Sequence, residues 1–561
     1  MTENVLVCVA WPYANGPLHH GQLGGAYLPA DIFARYHRAK GNHVAMVSGS
    51  DVHGTPITVR AEAEGRSPEE VVAEYHAGFL RTWEGIGIDW DVFTSTGTDN
   101  HAQVAQDLFR RLLDNGYLYT AAQTLLYDPV DQRFLPDRYV EGTCPHCPYE
   151  QARGDQCDEC GRQLDATDLI NPRSKTSGAT PELRESEHYF LKLSALEEPL
   201  EEWFASGKEH WRRHVLNFSQ GMLREGLQDR AITRDILWGI PVPEGLPAQV
   251  AGVEDKRIYV WFEAVIGYLS ATIEWAQRSG DADAWKVFWE QPGAKIYNFI
   301  GKDNVPFHTI IWPGILLGAG GLNLPYDVPA NQYITMSGSK ASTSQNWAVW
   351  VEDYLTRYDP DPLRYALAAQ MPETSDSDFS WGAFLRRNND ELVATWGNLV
   401  HRTLTFTVRH FDGAVPEPGP LDQASMHLLD RTRATLDQVG ESIAAVHLRQ
   451  GLQQAFALAQ EANRYLDATA PWQTIKTDRQ ATARSLYTVL SVIAGLRTAL
   501  WPYLPFSCER LNEFLGATAP VADQGWSMQA LTPGAPLRKP SPLFKKLDPS
   551  IVEEEEARLG S

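Results

Sequence analysis

Cysteines, basic residues and long apolar runs are all scarce in this chain of 561 residues. It has six cysteines, and four of them fall between residues 144 and 160. Few, clustered thiols argue against a disulfide framework and favour a metal site in a reducing compartment. No apolar run approaches the length of a membrane span, and residues 1–4 lack the basic character of a secretory signal. The sequence therefore predicts a cytoplasmic protein that does not enter a membrane.

The shortage of basic residues limits the partners that the chain can attract by charge alone. Lysine and arginine total 49 against 71 acidic residues, which gives a net charge of -22. Such a charge argues against broad, non-specific binding of nucleic acid, although it does not exclude a nucleic acid bound at one basic face. The glutamate run at 553–556 is most simply a solvated end, and no function is assigned to it. At this length, several domains are expected.

The most informative stretch lies near the start of the chain. The wholly apolar run 5–10 predicts a buried parallel strand, and the apolar spacing of residues 23–38 predicts a helix that Pro29 kinks or restarts. The turn between them contains neither a dinucleotide fingerprint nor a Walker loop. Its two imidazoles and its glycines, at the start of a helix, predict a site that binds a nucleotide triphosphate through side-chain donors.

Two segments resemble the motifs of a known family. Residues 12–22 (PYANGPLHHGQ) resemble the HIGH motif of class I aminoacyl-tRNA synthetases, and with residues 50–57 (SDVHGTPI) they match the flanks found in methionyl-tRNA synthetases. The resemblance runs along nearly the whole chain. It implies that ATP activates L-methionine to an adenylate, which is then transferred to the 3′ end of tRNA(Met). It also implies that His19 and Gly21 contact ATP, with Gln22 in the place of the family's final histidine.

A second predicted strand, at 44–47, ends just before Asp51. Polar residues at the carboxyl ends of parallel strands are where doubly wound folds place their ligands. On pattern alone, Asp51 is equally well a partner for a substrate ammonium or a cap for the next helix. The family resemblance implies the ammonium partner, and it implies that Arg234 supports Asp51.

Two C-x-x-C knuckles, nine residues apart, supply four thiolates: Cys144, Cys147, Cys157 and Cys160. This set suits a tetrahedral zinc ion. Because four protein ligands leave no coordination position open for water or substrate, the predicted site is structural. The resemblance identifies the surrounding segment as the family's connective-peptide insertion.

Aromatic residues at helical spacing follow the insertion. Trp261, Ala264 and Tyr268 are, on pattern alone, more often core than ligand pocket. The resemblance implies a pocket, and a thioether suits aromatic walls. The implied methionine-binding residues are Trp11, Tyr13, Trp261, Ala264, Tyr268, Asn304 and His308. Lys302 and Asp303 end another predicted strand and are candidates for phosphate and ribose contacts, or equally for loop ion pairs.

The stretch 337–344 stands in the position of the family's KMSKS loop. Only one of the two lysines remains, since Thr343 occupies the place of the second. The resemblance implies that Lys340, Ser342 and Ser344 contact ATP, which binds with Mg²⁺, and that Lys340 is catalytic together with His19 and Gln22. A lysine on a flexible loop neutralises charge that develops on departing pyrophosphate.

From about residue 386 the pattern is helical throughout. Asn398 and Arg402 lie one turn apart, opposite an apolar face, and a solvated surface is the usual explanation for such residues. The resemblance implies that both contact the tRNA anticodon together with Trp472. An indole that stacks on unpaired bases, with amide and guanidinium donors beside it, suits that task.

The predicted architecture is α/β followed by an all-α bundle. The expected units are a Rossmann-type catalytic domain in two halves (1–118 and 231–325), a zinc-bearing insertion (119–230), a KMSKS-type loop with a connecting segment (326–385), a helical anticodon-binding domain (386–540) and an acidic tail (541–561). A monomer is expected, because no further tRNA-binding module follows the bundle. The altered motifs leave three other hypotheses open: a paralogue for another amino acid or a non-tRNA acceptor, a copy that confers resistance to an inhibitor, and a catalytically silent tRNA-binding protein.

Overall fold

The centre of the protein is a five-stranded parallel sheet. The computed structural model describes residues 2–154, 157, 159–160, 162, 164–247, 250–339 and 346–560. In spatial order the strands are Ala330–Asn331, Lys295–Gly301, Asn4–Val9, His43–Ser50 and Val92–Ser95. The middle strand is buried on both faces over residues 5–9, as a parallel sheet covered by helices requires. This sheet confirms the predicted Rossmann-type fold.

Helices cover both faces of the sheet. The α-helices of this part are His20–Gln22, Leu28–Ala39, Thr55–Glu64, Pro68–Ile86, Asp99–Asp114, Val260–Ser279, Lys286–Trp289 and Trp312–Ala319. Two π-helical segments, Leu23–Tyr27 and Phe307–Ile311, lead into Leu28–Ala39 and Trp312–Ala319. The predicted restart at Pro29 is confirmed, because Pro29 lies in the first turn of Leu28–Ala39, where the π segment Leu23–Tyr27 gives way to an α-helix.

The predicted insertion folds as two small antiparallel sheets. One contains, in spatial order, Arg230–Ala231, Glu182–Leu191, Leu118–Asp128 and Arg133–Phe134. The other contains Ala152–Arg153, Val140–Thr143 and Ile170–Ser174, and it holds the cysteine knuckles. The helices Glu197–Phe204 and Arg213–Glu225 lead back towards the central sheet, and the short strands Thr233–Asp235 and Lys256–Ile258 pair after them.

Helices dominate the rest of the described chain. They are Val351–Leu355, Pro360–Ala369, Trp381–Arg386, the π segment Arg387–Gly397, Asn398–His410, Gln423–Ala444, Leu448–Thr469, Pro471–Thr474, Arg479–Leu500, Pro505–Phe514 and Ile551–Glu556. The predicted apolar face of the first long helix is confirmed, since Leu392, Trp396 and Leu404 are fully buried. The strands Ile334–Met336 and Ser377–Phe379 pair in parallel just before this helical part begins.

One apolar core joins the sheet to the helical part. It runs from one face of the sheet through Leu28–Ala39 into the long helices. A buried ion pair crosses the same boundary, where Arg364 lies 2.6 Å from Asp31 and also donates to the carbonyls of Pro502 and Tyr503 at 2.9 Å. The carboxylate of Asp31 and the two carbonyls that bind this buried guanidinium all lie outside its own helix.

The expectation of a solvated acidic tail is wrong for one of its glutamates. Within Ile551–Glu556, Glu555 is only 4% exposed, while Glu553, Glu554 and Glu556 are exposed. Ile551 and Glu555 are four residues apart, so both lie on the face of the helix that contacts the protein. A run of four identical residues does not reveal which one is buried, and only the tertiary contacts decide.

Candidate active site

A cavity of about 400 Å³ opens at the carboxyl ends of the central strands. This is where a doubly wound fold places its ligands. Twelve of the predicted site residues line it: Trp11, Tyr13, His19, Gly21, Gln22, Asp51, Trp261, Ala264, Tyr268, Asp303, Asn304 and His308. Residues of both π-helical segments line it as well, and such segments are frequent at functional sites.

His19 begins the first helix as its cap. Its Nδ1 accepts a hydrogen bond from the backbone N–H of Gly21 at 3.1 Å, so the ring proton of the neutral imidazole is on Nε2. Burial, with a smaller contribution from His20, lowers the pKa of His19 to about 3. His19 is therefore a neutral hydrogen-bond donor at neutral pH.

Gln22 completes a reciprocal capping box with His19. Its Oε1 accepts the backbone N–H of His19 at 3.1 Å. Because the oxygen is used in this way, the amide NH₂ is the group of Gln22 that is left to donate. A glutamine in this position thus preserves the helix start and still offers a donor to the cavity, although it carries no charge.

Asp51 is a buried carboxylate, of which 4% is exposed. Among the residues that the structure describes, no lysine or arginine forms an ion pair with it. Its Oδ1 accepts only a long bond, of 3.4 Å, from the backbone N–H of His53. Burial raises the pKa of Asp51 well above its usual range, and the charge of Glu263 raises it further. Asp51 does not cap the next helix, whose cap is Gly54. This arrangement favours an external cation as its partner.

Glu263 was not predicted, and it lies at the centre of a buried cluster. Its two oxygens are 2.9 Å from Nδ1 of His53 and 2.5 Å from Nε2 of His101. Burial opposes its ionisation, but the two imidazoles together lower the pKa of Glu263. His53 and His101 are 210 and 162 residues from Glu263 along the chain, so no local pattern signals the cluster.

Aromatic side chains form the walls of the cavity. The rings of Trp261 and Phe307 are 4.1 Å apart, and the hydroxyl of Tyr268 lies 2.7 Å from Nε2 of His308. The indole of Trp11 is packed against Gly49 and Gly267, where any side chain would overlap it. Phe307, Gly49 and Gly267 were missed by sequence reasoning. The hydrophobic walls suit an apolar, sulfur-containing side chain.

Two of the predicted ATP- and methionine-binding residues that the structure describes do not line this cavity. Lys302 forms an ion pair with Asp376 at 2.8 Å, which is the loop ion pair that its position also allowed. Arg234 lines a neighbouring cavity of about 80 Å³, where its guanidinium stacks 3.8 Å from the ring of Tyr259 and donates to two backbone carbonyls. The structure therefore does not bring Arg234 into contact with Asp51. Lys340, Ser342 and Ser344 lie outside the described residues.

The four predicted zinc ligands converge. Their sulfur atoms all lie within 4.8 Å of one another, with 3.8 Å between Cys144 and Cys160 and 3.6 Å between Cys147 and Cys157. Four thiolates on one zinc ion, with Zn–S bonds of roughly 2.3 Å in tetrahedral geometry, have sulfur atoms roughly 3.8 Å apart. The residues therefore fit a zinc ion.

The predicted anticodon residues share one exposed surface of the helical part. The guanidinium of Arg402 lies 5.3 Å from the ring of Trp472 and forms an ion pair with Asp467 at 3.0 Å. Trp472 is 40% exposed, and Asn398 is exposed one turn before Arg402. An exposed indole beside a guanidinium and an amide is suited to stacking and hydrogen bonding with unpaired bases.

Comparison with known proteins covers the whole chain. A family model described as tRNA synthetases class I (M) matches residues 5–404, and one described as the anticodon binding domain of methionyl tRNA ligase matches residues 415–561. A methionine–tRNA ligase of Dehalococcoides mccartyi is 55% identical over 560 residues and 100% of both chains. One of Roseiflexus sp. is 51% identical over 591 residues, covering 100% of this chain and 99% of the relative.

The solved structures agree in fold. Methionyl-tRNA synthetase of Mycobacterium tuberculosis bound by methionyl-adenylate matches with a TM-score of 0.80 and 24% identity, over 97% of this chain and 100% of that one. Its apo form matches with a TM-score of 0.72 over 98% and 99%. The helices of the described residues are each too short or too polar to span a lipid bilayer. The predicted resemblance is confirmed: the chain belongs to the methionine–tRNA ligase family of class I tRNA synthetases.

Proposed function

We propose that this protein is a methionine–tRNA ligase that activates L-methionine with ATP and transfers it to the 3′ end of tRNA(Met). One observation carries the proposal. A single cavity with aromatic walls contains a buried carboxylate, Asp51, and a neutral imidazole donor, His19. The carboxylate suits the ammonium of an amino acid, the aromatic walls suit a thioether, and the imidazole suits a phosphate.

In the first step, an oxygen of the methionine carboxylate attacks the α-phosphate of ATP. The new acyl–phosphate bond forms as the bond to pyrophosphate breaks, so the protein supplies no nucleophile. Its contribution is alignment and stabilisation of charge. The N–H of His19 and the amide NH₂ of Gln22 donate to phosphate oxygens, and Asp303 contacts the ribose. Lys340, Ser342 and Ser344 would offset the charge on the departing pyrophosphate, and the Mg²⁺ that accompanies the nucleotide would supply further positive charge there.

In the second step, the terminal hydroxyl of tRNA(Met) attacks the carbonyl carbon of the adenylate, and AMP leaves. Asn398, Arg402 and Trp472 would bind the anticodon, far along the chain from the reacting atoms. Cys144, Cys147, Cys157 and Cys160 would hold a zinc ion whose task is to fold the insertion. We further propose that the enzyme acts as a monomer in the cytoplasm.

Amino-acid-dependent ATP–pyrophosphate exchange, measured across the standard amino acids with tRNA charging alongside, tests this function. Exchange with methionine together with charging of tRNA(Met) is the expected result. Exchange with another amino acid, or with methionine but no charging, would indicate a paralogue. Absence of exchange by a folded protein would indicate a silent tRNA-binding protein. Undiminished charging in the presence of an inhibitor of housekeeping enzymes would add a role in resistance.

A further inference from the structure

Glu555, the buried glutamate of the acidic tail, is hydrogen-bonded to a segment of the chain that borders the candidate active site. The carboxylate of Glu555 accepts two hydrogen bonds from Arg357, from Nε at 2.8 Å and from a terminal nitrogen at 2.9 Å, and a third from the hydroxyl of Tyr358 at 2.9 Å. Such a bidentate, charge-assisted arrangement is among the strongest that side chains form. Only 4% of Glu555 is exposed, against 22% of the Arg357 side chain, so the carboxylate of this pair is shielded from solvent and from salt.

Arg357 lies two residues beyond the end of the short helix Val351–Leu355 and binds a side chain in the middle of it. Besides Glu555, its guanidinium binds the carboxylate of Asp353 at 2.7 and 2.8 Å. Tyr358 packs against the rings of Trp381 and Phe384, at 6.0 and 6.2 Å. Glu555 therefore holds one arginine in place, and through it the orientation of Val351–Leu355.

The residues just before that helix lie against His19. The backbone N–H of Val351 donates to the carbonyl of Leu18, and the N–H of His20 donates to the carbonyl of Val349, both at 2.9 Å. Between these two bonds, Trp350 forms an antiparallel bridge with His19, and the two rings meet edge to face at 6.1 Å. The position of His19 therefore depends on the position of 349–351.

A second contact from the tail reaches the same segment. The backbone N–H of Gly560 donates to the carbonyl of Asn346 at 3.0 Å, and the side chain of Asn346 accepts the indole N–H of Trp350 at 2.6 Å. The tail thus touches the 346–358 segment at both ends, once through Asn346 and once through Arg357. In the sequence this segment directly follows residues 340–345, which include the predicted Lys340.

We propose that Glu555 is a positioning residue for the ATP-dependent step: through Arg357 it holds the 346–358 segment, and thereby Trp350, against His19. The inference rests on the proposed function, in which His19 contacts ATP. Asp51 and the aromatic walls belong to other elements, so the influence of Glu555 is selective for ATP over methionine. The tail is then part of the catalytic apparatus, although it does not touch the substrates.

The variant Glu555→Gln keeps the shape of the side chain and removes its charge. We expect kcat/KM for ATP in pyrophosphate exchange to fall roughly tenfold, about 1.4 kcal/mol, with KM for methionine unchanged within about twofold. Glu556→Gln is the matched control, because it makes the same charge change on an exposed residue of the same helix. A Glu555→Asp variant, which restores the charge, should recover part of the loss.

Trp350→Phe tests the contacts that Trp350 makes with Asn346 and His19. It removes the N–H that binds Asn346 and keeps an aromatic ring against His19. We expect kcat/KM for ATP to fall while KM for methionine stays constant. In the double variant with Glu555→Gln, kcat/KM for ATP should fall by less than the product of the two single effects, since both changes act through one segment. Independent, fully multiplicative losses would contradict the inference.

Direct binding of a non-hydrolysable ATP analogue separates this inference from the proposed function. Glu555→Gln should weaken that binding roughly tenfold relative to the unaltered protein, whichever amino acid is activated. Equal affinity in the two proteins, or an equal loss for ATP and for methionine, or a lower unfolding temperature with unchanged kinetics, would each overturn the inference. Failure of the unaltered protein to exchange with methionine would instead overturn the proposed function.

Discussion

The hydroxyl of Tyr268 donates a hydrogen bond to Nε2 of His308 over 2.7 Å, deep in the candidate methionine pocket. The direction of this bond is fixed, because Nδ1 of His308 is 2.8 Å from the carbonyl of Asn304 and must carry the ring proton. Burial lowers the pKa of His308 to about 4, so the ring stays neutral at physiological pH. The pair is therefore a rigid, uncharged wall that joins Val260–Ser279 to the π segment Phe307–Ile311.

Tyr268→Phe should weaken the contact between these two helical segments while it keeps the aromatic ring in place. The variant keeps the ring but leaves Nε2 of His308 as a buried acceptor without a donor, at a cost of about 1–3 kcal/mol. We expect KM for methionine in pyrophosphate exchange to rise roughly tenfold while KM for ATP stays constant. His308→Gln, which can still accept from the hydroxyl, should be milder. Unchanged methionine kinetics in Tyr268→Phe would show that the bond does not shape the pocket.

Asp51→Asn should separate function from stability. The change removes the proposed partner of the methionine ammonium, and loss of one member of a buried ion pair costs about 3–5 kcal/mol. We expect KM for methionine to rise at least roughly a hundredfold. In the free protein, however, Asp51 is a buried carboxylate without a cationic partner among the described residues, so the unfolding temperature should not fall. A destabilised variant with normal methionine kinetics would assign Asp51 a structural role.

How far the sequence predicts this molecule depends on whether the signal is local. The central strands and the helix restart at Pro29 follow from apolar runs and from one proline, and both are confirmed. The cysteine knuckles are local as well, and their sulfurs converge as expected. The choice between cap and ligand for Asp51 needed three-dimensional information, because the cap turned out to be Gly54.

What the sequence could not supply are contacts between distant segments. Glu263 binds histidines that are more than 150 residues away, and its acidic character alone gives no hint of them. Glu555 is one of four consecutive glutamates, and only the packing of its helix singles it out. Even family resemblance, which suggested that Arg234 supports Asp51, did not anticipate that Arg234 lies against Tyr259 in a neighbouring cavity.

Gly267 is predicted to be essential for the position of Trp11. A Cβ at Gly267 would lie 2.6 Å from Cζ2 of the indole, and the indole cannot retreat because Gly49 already adjoins its other side. Gly267→Ala should therefore push Trp11 towards the cavity and raise KM for methionine roughly tenfold. The additional change Trp11→Leu should restore methionine binding. Gly221→Ala, on an open helix surface, is the matched control; impairment that Trp11→Leu fails to relieve would contradict the steric argument.

The cysteine cluster is predicted to hold one zinc ion per chain. Cys157→Ser removes a buried ligand, and a structural zinc site contributes roughly 10–16 kcal/mol of binding free energy. We expect the purified variant to lose most of its zinc, measured by elemental analysis, and to unfold at lower temperature. Cys508→Ser changes a buried cysteine outside the cluster and should leave the zinc content unchanged. Zinc-free protein with unaltered stability would mean that the cluster does not need a metal.

His37 is predicted to make the protein sensitive to mild acid. It is 4% exposed, its Nδ1 accepts from the amide of Asn42 at 2.8 Å, and burial lowers its pKa to about 4. In the unfolded chain the pKa is roughly 6.5, so between these values only the unfolded state binds the proton. Stability is therefore lost as the pH falls below about 6.5, and His37 alone accounts for about 2 kcal/mol between pH 7 and pH 5.

His37→Gln removes this titrating group, so the fall in unfolding free energy from pH 7 to pH 5 should be smaller in the variant by about 2 kcal/mol. Urea denaturation at the two pH values measures that difference, and any constant cost of the substitution cancels from it. His427→Gln, at an exposed helix position, is the matched control and should leave the difference unchanged. If His37→Gln and the unaltered protein lost the same stability on acidification, the sensitivity would have to arise from other buried histidines, such as His20, whose pKa is also lowered to about 4.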